Sequence, residues 1–468
     1  MNQNVRELME KVIDNDYCVG CGICASVKGS PFKMKLDENG KYSPSLLDNI
    51  PTEEMDINVL SVCPFAYGKN ETEIGKQQFG KEENIKYNEY TGYYLKNYAG
   101  YVKEGEFRKK GSSGGMGNWI AKQLLENKLV DGIIHVKSSN DKEEALFDYQ
   151  VSYSNEELYM GAKSKYYPIE MSKVIQFVKE NEGRYALIGI PCFIKSIRLL
   201  ADKDLVIKER IKYTIGLVCG HLKSDMFAKS MGWQLGVEPD NLTGIDFRKK
   251  LDTQYANDYG VEVEGNKDGE YVKSSAPRRE LYVGNWGHGL FKYNACEFCD
   301  DVLSETADVT VGDAWLPKYT KDSLGTNVIV VRNPIIQKIF EENMDKVHLE
   351  EISARMMYES QAGGFRHRRQ GLSYRLYLKD KNNQWRPKKR VEASNKMSSK
   401  RKVIYEKRTL LSQESFTAYK KALKVNDFNV FIEYMNPIIN EYNNIIAPSM
   451  LEKSVRKIKR GIFKLIRK

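Results

Sequence analysis

From Tyr93 onward, short unbroken runs of apolar residues alternate with stretches in which apolar residues recur every three or four positions. The first pattern predicts buried strands and the second amphipathic helices, and their alternation predicts an α/β layer. NWIAKQLLEN, Asn118 to Asn127, puts Ile120, Leu124 and Leu125 on one helical face, and DGIIHV from Asp131 follows as a strand. RYALIGI ends at Ile190 as a strand, and after Pro191 and Cys192 the run FIKSIRLLAD predicts a helix. KYTIGLV, ending at Val218, repeats the arrangement, with Cys219 next and the helical KSDMFAKSMGWQL beyond it. ADVTVGDAW from Ala307 and NVIVVR from Asn327 are further strands. After about Arg366 strand signals cease, and the remainder reads as basic, helical and less well packed.

Before Tyr93 the pattern differs. Residues up to Gly68 read as a compact cysteine-bearing unit, and the polar stretch from Lys69 to Tyr90 as a connector. The expected divisions are a cysteine-bearing domain over 1–75, a linker over 76–92, a two-part α/β region over 93–172 and 173–350, and a helical extension over 351–468.

Charge sharpens this division. The chain carries +10 overall, yet residues 366–468 hold 27 Lys and Arg against 8 Asp and Glu, which leaves −9 on the first 365. An acidic body with a basic tail argues against a general nucleic-acid binder and for one localised basic surface. RHRRQ from Arg366 and RPKKR from Arg386 read as positive surface able to receive an acidic ferredoxin. In LEKSVRKIKRGIFKLIRK, Leu451, Val455, Ile458, Ile462, Leu465 and Ile466 share one helical side. That side fits either an anionic lipid surface or the protein itself. The N-terminus lacks the apolar stretch of a signal peptide, and no run approaches the ~20 apolar residues of a membrane span. The expectation is a cytoplasmic protein, at most touching the inner face of the membrane, with reduced thiols.

The eight cysteines form two sets of four. Cys18, Cys21 and Cys24 stand at two-residue spacing with Gly20 and Gly22 between them, and the remote Cys63 precedes Pro64. Short glycine spacers let a loop wrap a cubane, and C-x₂-C-x₂-C…C-P is an iron–sulfur pattern, whereas zinc usually takes paired ligands. Cys192 and Cys219 each follow a predicted strand, and such strand ends share one edge of a parallel sheet. Cys296 and Cys299 add a CxxC. Spacing alone leaves this second set open between a cluster, ordinary core cysteines, a thiol pair and half a zinc site.

The ordered motifs GSSGGMGNW from Gly111, VDGIIHV from Val130, KSKYY from Lys163, GIPCF from Gly189, GLVCG from Gly216 and CEFCDDVLSETADVTVGDAW from Cys296 resemble the coenzyme F420 hydrogenase/dehydrogenase beta-subunit family. Here the resemblance extends over roughly residues 10 to 345 and includes an N-terminal ferredoxin-like module. It implies an oxidoreductase that binds FAD beside a [4Fe–4S] cluster held by Cys192, Cys219, Cys296 and Cys299, two clusters in all. Archaeal relatives exchange electrons with a deazaflavin, a plant relative uses ferredoxin to reduce a chlorophyll derivative, and bacterial relatives occur among polysaccharide-biosynthesis proteins. The implied partners are a ferredoxin or deazaflavin donor and a small or lipid-linked substrate.

For the flavin, Ser112, Ser113, Gly114 and Gly115 precede a predicted helix and could present amides and hydroxyls to a diphosphate, or form a capped glycine turn. Lys163 and Lys165 suit phosphate or the flavin edge, or open solvent. Asp313 could accept a ribityl or ribose hydroxyl or cap the next element. His221, two residues past Cys219, is either a proton donor or structural. The rival reading is a zinc-stabilised regulatory or interaction protein with a nucleic-acid- or lipid-binding tail.

Overall fold

A computed structural model describes residues 2–48, 58–142, 144–253 and 255–447. The apolar helix face between Leu451 and Ile466 lies outside these residues. Two compact units are present, one of Met1–Asn285 with Phe291–Asn395, the other of Trp286–Leu290 with the chain from Lys396.

The first unit is built on an eight-stranded sheet: β1 (Lys96–Val102), β2 (Gly132–Ser138), β3 (Phe147–Ser152), β4 (Tyr185–Gly189), β5 (Ile211–Leu217), β6 (Val309–Asp313), β7 (Asn327–Val331) and β8 (Val347–Glu351). Its order is β8-β1-β7-β6-β5-β4-β2-β3. The central strands β6, β5, β4 and β2 run parallel, while β7, β1, β8 and β3 join antiparallel. All five residues of β4 and of β7 are buried, as strands covered on both faces require. Each strand predicted between Asp131 and Val331 is present in register with its apolar run.

The helices that bear on the site include α1 (Glu71–Phe79), α2 (Met116–Glu126), α3 (Pro191–Ala201), α4 (Asp225–Gln234) and α5 (Leu372–Lys381). α1 lies within the polar stretch expected as a connector; Asn70 and Glu73 form a capping box, and Ile74 and Phe79 are buried. Pro191 begins α3 at a position where its missing N–H costs nothing. A three-stranded antiparallel sheet (Leu242–Lys249, Gly260–Lys267, Glu270–Pro277) was not foreseen.

The expectation of loose packing after Arg366 fails up to Asn395. Leu372 and Leu376 of α5 are fully buried in the core that also holds Cys21, Phe193 and Phe298. Only from Lys396 does the chain leave this unit, as α6 (Ser399–Val425) and α7 (Phe428–Ile446), a helical hairpin turned at Asn426 in the left-handed region. Leu411, Ala418, Phe431 and Met435 are buried there, and His288 Nε2 lies 3.2 Å from Asn443 Oδ1. Among the described residues no helix is long and apolar enough to cross a membrane.

Candidate functional site

All eight cysteines are free. Cys18, Cys21, Cys24 and Cys63 line one small cavity with Leu8, Val12, Tyr17 and Phe65. The loop closes through Gly22, whose φ of +79° belongs to the left-handed region and where a Cβ would come within 2.8 Å of the Ser172 amide. The Gly20 amide donates to Cys18 Sγ at 3.3 Å. Burial first, then the neighbouring cysteines, drives the Cys18 and Cys24 thiols well above their usual range; burial lifts Cys21 to about 12. Four thiols around an apolar hollow, with an amide turned onto sulfur, fit a [4Fe–4S] core, since iron binding would release their protons.

The second set also converges. In sheet order β6, β5 and β4 are neighbours, so Asp313, Cys219 and Cys192 follow one another along a single edge at the roughly 5 Å spacing of adjacent strands. Cys192 stands in the first turn of α3, where the helix dipole favours a thiolate. Cys296 and Cys299 come from a short 3₁₀ turn, Asn294–Phe298. Cys192 is pushed far up by burial and then by Cys299, Cys219 and Cys296. Cys296 rises to about 12 by burial and then Cys219. The Leu222 amide donates to Cys296 Sγ at 3.2 Å.

The two sets share one hydrophobic core. Tyr17, beside Cys18, meets Phe298, beside Cys299, edge-on at 4.8 Å between ring centroids. Cys21 adds to the upward push on Cys192. Among the described residues no three His, Cys, Asp or Glu side chains gather tightly enough for a single metal ion.

The flavin candidates lie at the same sheet edge but are engaged differently from expectation. Ser113 donates to the Thr326 carbonyl at 3.0 Å, and the Ser112 hydroxyl accepts from the Ser164 amide at 2.8 Å. Gly114 is packed so that a Cβ would approach the Gly100 carbonyl to 2.8 Å. Gly115, at φ +85°, caps α2, whose first amide at Met116 is already given to Asn327 Oδ1. Asp313 accepts from Arg248 at 2.9 Å rather than capping an element. Lys163 pairs with Asp246, and Lys165 lies over the Phe147 ring at 4.9 Å. His221 sits in the loop of the second cysteine set, between Gly220, whose carbonyl accepts from Arg368, and Leu222.

Sequence reasoning missed the arginines. Arg248 is buried, stacked on Tyr259 at 4.2 Å, and donates to the Ser112 carbonyl at 3.1 Å. Lys250, close by, is lowered to about 8 by burial and then by Arg108, Arg248 and Lys163. The stretches read as basic surface are partly internal. Arg368 is buried against Cys299, and Arg390 pairs with Glu305 at 2.5 Å. Arg390 thus meets an internal carboxylate, and Arg368 a buried sulfur and two backbone carbonyls.

The sequence match assigns the chain to a family of the oxidoreductase type. Its sequence belongs to the coenzyme F420 hydrogenase/dehydrogenase beta-subunit family, matching the N-terminal part over residues 97–176 and the C-terminal part over 182–355. An uncharacterized protein of Methanocaldococcus jannaschii is 26% identical over 238 residues, 50% of this chain and 78% of its own length. A second from the same organism is 24% identical over 365 residues, covering 71% and 88%. A chain of the F420-reducing [NiFe] hydrogenase complex from Methanosarcina barkeri superposes with a TM-score of 0.46 at 13% identity, over 63% of this chain and 96% of that one.

Proposed function

We propose that this protein is an iron–sulfur flavoprotein oxidoreductase that takes electrons from a low-potential donor, ferredoxin or a deazaflavin, and delivers them to a small or lipid-linked substrate, with polysaccharide biosynthesis as the setting. Residues 1–75 act as the ferredoxin-like portion, and the remainder of the first unit as the flavin-bearing body. Cys18, Cys21, Cys24 and Cys63 hold one [4Fe–4S] cluster, and Cys192, Cys219, Cys296 and Cys299 the other. When bound, the clusters carry single electrons and FAD converts between one- and two-electron chemistry.

The observation that carries this reading is the meeting of Cys192, Cys219, Cys296 and Cys299 from three separate chain segments, one aromatic contact away from the first set. A flavin would be held by residues at the β6 end of the same edge. Lys163, Lys165 and Lys250 supply charge for the diphosphate, together with the backbone of Gly114 and Gly115. Asp313 and Arg248 act as a fixed wall, since each already holds the other. Trp315, 36% exposed beside Arg248, offers a flat apolar platform for the ring system. His221, two residues past Cys219, would act as a proton donor at the flavin edge.

Anaerobic purification followed by iron, sulfide and flavin assays tests the proposal. The expected result is about eight iron atoms per chain, matching sulfide, and one FAD. Stoichiometric zinc without flavin overturns it.

A further inference from the structure

The family match ends at residue 355, yet the first unit continues to Asn395 and contributes side chains to the second cysteine set. Arg368, in the helical turn His367–Gly371, is 3% exposed. A guanidinium taken out of water needs an anion or a set of hydrogen-bond acceptors beside it. Arg375 meets Glu297 at 3.0 Å, Arg390 meets Glu305 and Arg248 meets Asp313, whereas the fully buried Arg332 is held by backbone carbonyls and the Thr310 hydroxyl. Arg368 pairs with no carboxylate among the described residues. Its Nη1 donates to Cys299 Sγ at 3.4 Å and to the Asp301 carbonyl, and its Nη2 to the Gly220 carbonyl at 2.8 Å. Two carbonyls fix the orientation of the fork but bring no net charge. The group facing this arginine is the Cys299 sulfur, which becomes anionic once it ligates iron.

We propose that Arg368 is the counter-ion of the second cysteine set, donating a hydrogen bond to the Cys299 thiolate and raising the reduction potential of the iron–sulfur centre held there. The inference rests on the proposed reading of these cysteines as cluster ligands. Its direction follows from electrostatics. A fixed cation and an N–H directed at sulfur stabilise the reduced, more negative centre more than the oxidised one. At the first set the hydrogen bonds to sulfur come from neutral groups such as the Gly20 amide, and Lys195 and Lys389 act on Cys63 only through their charge. Arg368 therefore distinguishes two otherwise similar centres, and it comes from a part of the chain that the family match does not reach.

Redox titration of the holoprotein, followed by electron paramagnetic resonance, tests this on the wild type, Arg368→Gln and Arg368→Lys, with iron and sulfide counted in each. In R368Q the one-electron reduction equilibrium of one centre is expected to become at least tenfold less favourable, about 59 mV, while the other is unmoved. R368K keeps the charge but loses the planar fork, so its value falls between. An unchanged midpoint in R368Q with about eight iron atoms per chain overturns the role of Arg368 and leaves the two-cluster reading intact. About four iron atoms in the wild type removes the second centre, and the inference with it. If R368Q loses the centre, wild-type protein labelled with ¹⁵N-arginine decides. Hyperfine coupling of the reduced centre to arginine nitrogen is expected, and its absence overturns the proposal.

Discussion

His135 offers a measurement of how firmly the sheet beneath the site excludes a charge. It lies on β2 at 3% exposure, with Nε2 2.7 Å from Ser152 Oγ. A Cβ added at Gly161 would come within 2.3 Å of the imidazole, so the ring has no room to swing toward solvent. Burial, and secondarily Lys137, lowers its pKa from 6.5 to about 4. Between those values the unfolded chain takes up a proton that the folded chain refuses, so stability falls as the solution is acidified. The contribution is fully present above about pH 6.5 and fully lost below about pH 4. Linkage with these values gives a loss of about 2 kcal/mol between pH 7 and pH 5, and about 3 kcal/mol by pH 4. His135→Gln keeps a donor and an acceptor for Ser152 but cannot titrate. Urea unfolding of both proteins at pH 7 and pH 5 isolates the effect, because other acid-sensitive groups cancel in the difference. The wild type should lose about 2 kcal/mol more than the variant over that interval. Equal losses would refute the argument.

Glu71 of α1 and Lys195 of α3 form a buried pair at 3.1 Å, each side chain 6% exposed. Glu71→Gln leaves the ammonium without its partner and should cost about 3–5 kcal/mol, whereas Glu71→Leu with Lys195→Met should recover most of it; a silent E71Q in thermal unfolding contradicts this. Cys192→Ala should lower iron from about eight to about four atoms per chain while the first centre keeps its spectrum. Undiminished iron would remove Cys192 from the ligand set. At Gly115 an alanine meets both a left-handed backbone and the Phe107 carbonyl carbon at 2.6 Å. Its expected cost is about 1–3 kcal/mol in chemical denaturation, and a neutral result would mean that the loop relaxes freely.

The central strands were legible because they are buried on both faces, so their sequences are unbroken apolar runs that no surface demand interrupts. The edge shared by Cys192 and Cys219 followed from the same pattern, since both cysteines stand just past parallel strands. The sheet from Leu242 to Pro277 was harder, because its alternation is diluted by charge, as in VEVEGNKDGEYVKSS. One local signal was there: Asp268 and Gly269 both take positive φ, the two-residue hairpin turn that an Asp-Gly pair favours. Arg368 and Arg390 were misread because a sequence displays charge without its counter-charge. The partner of Arg390, Glu305, lies 85 positions earlier, joined only by the fold. Leu372 and Leu376, four residues apart, were the local hint that this stretch buries a face. The Ser112–Gly115 loop looked open in sequence because nothing local announces Thr326 and Asn327, which occupy the Ser113 hydroxyl and the first amide of α2.

The segment between Arg366 and Asn395 bears on how the protein can be shortened. A fragment ending at residue 355, where family resemblance stops, would strip Arg375 from Glu297 and Arg390 from Glu305 and Asp300. It would also remove Trp385, whose carbonyl accepts the Tyr17 hydroxyl at 3.2 Å. Glu305 and Asp300 would then lose their paired arginines, Glu297 would keep Lys292, and the roof over Tyr17 would be missing. A fragment ending at Asn395 keeps all of these contacts. The shortest self-sufficient polypeptide of this lineage is thus longer than its shared ancestry would indicate.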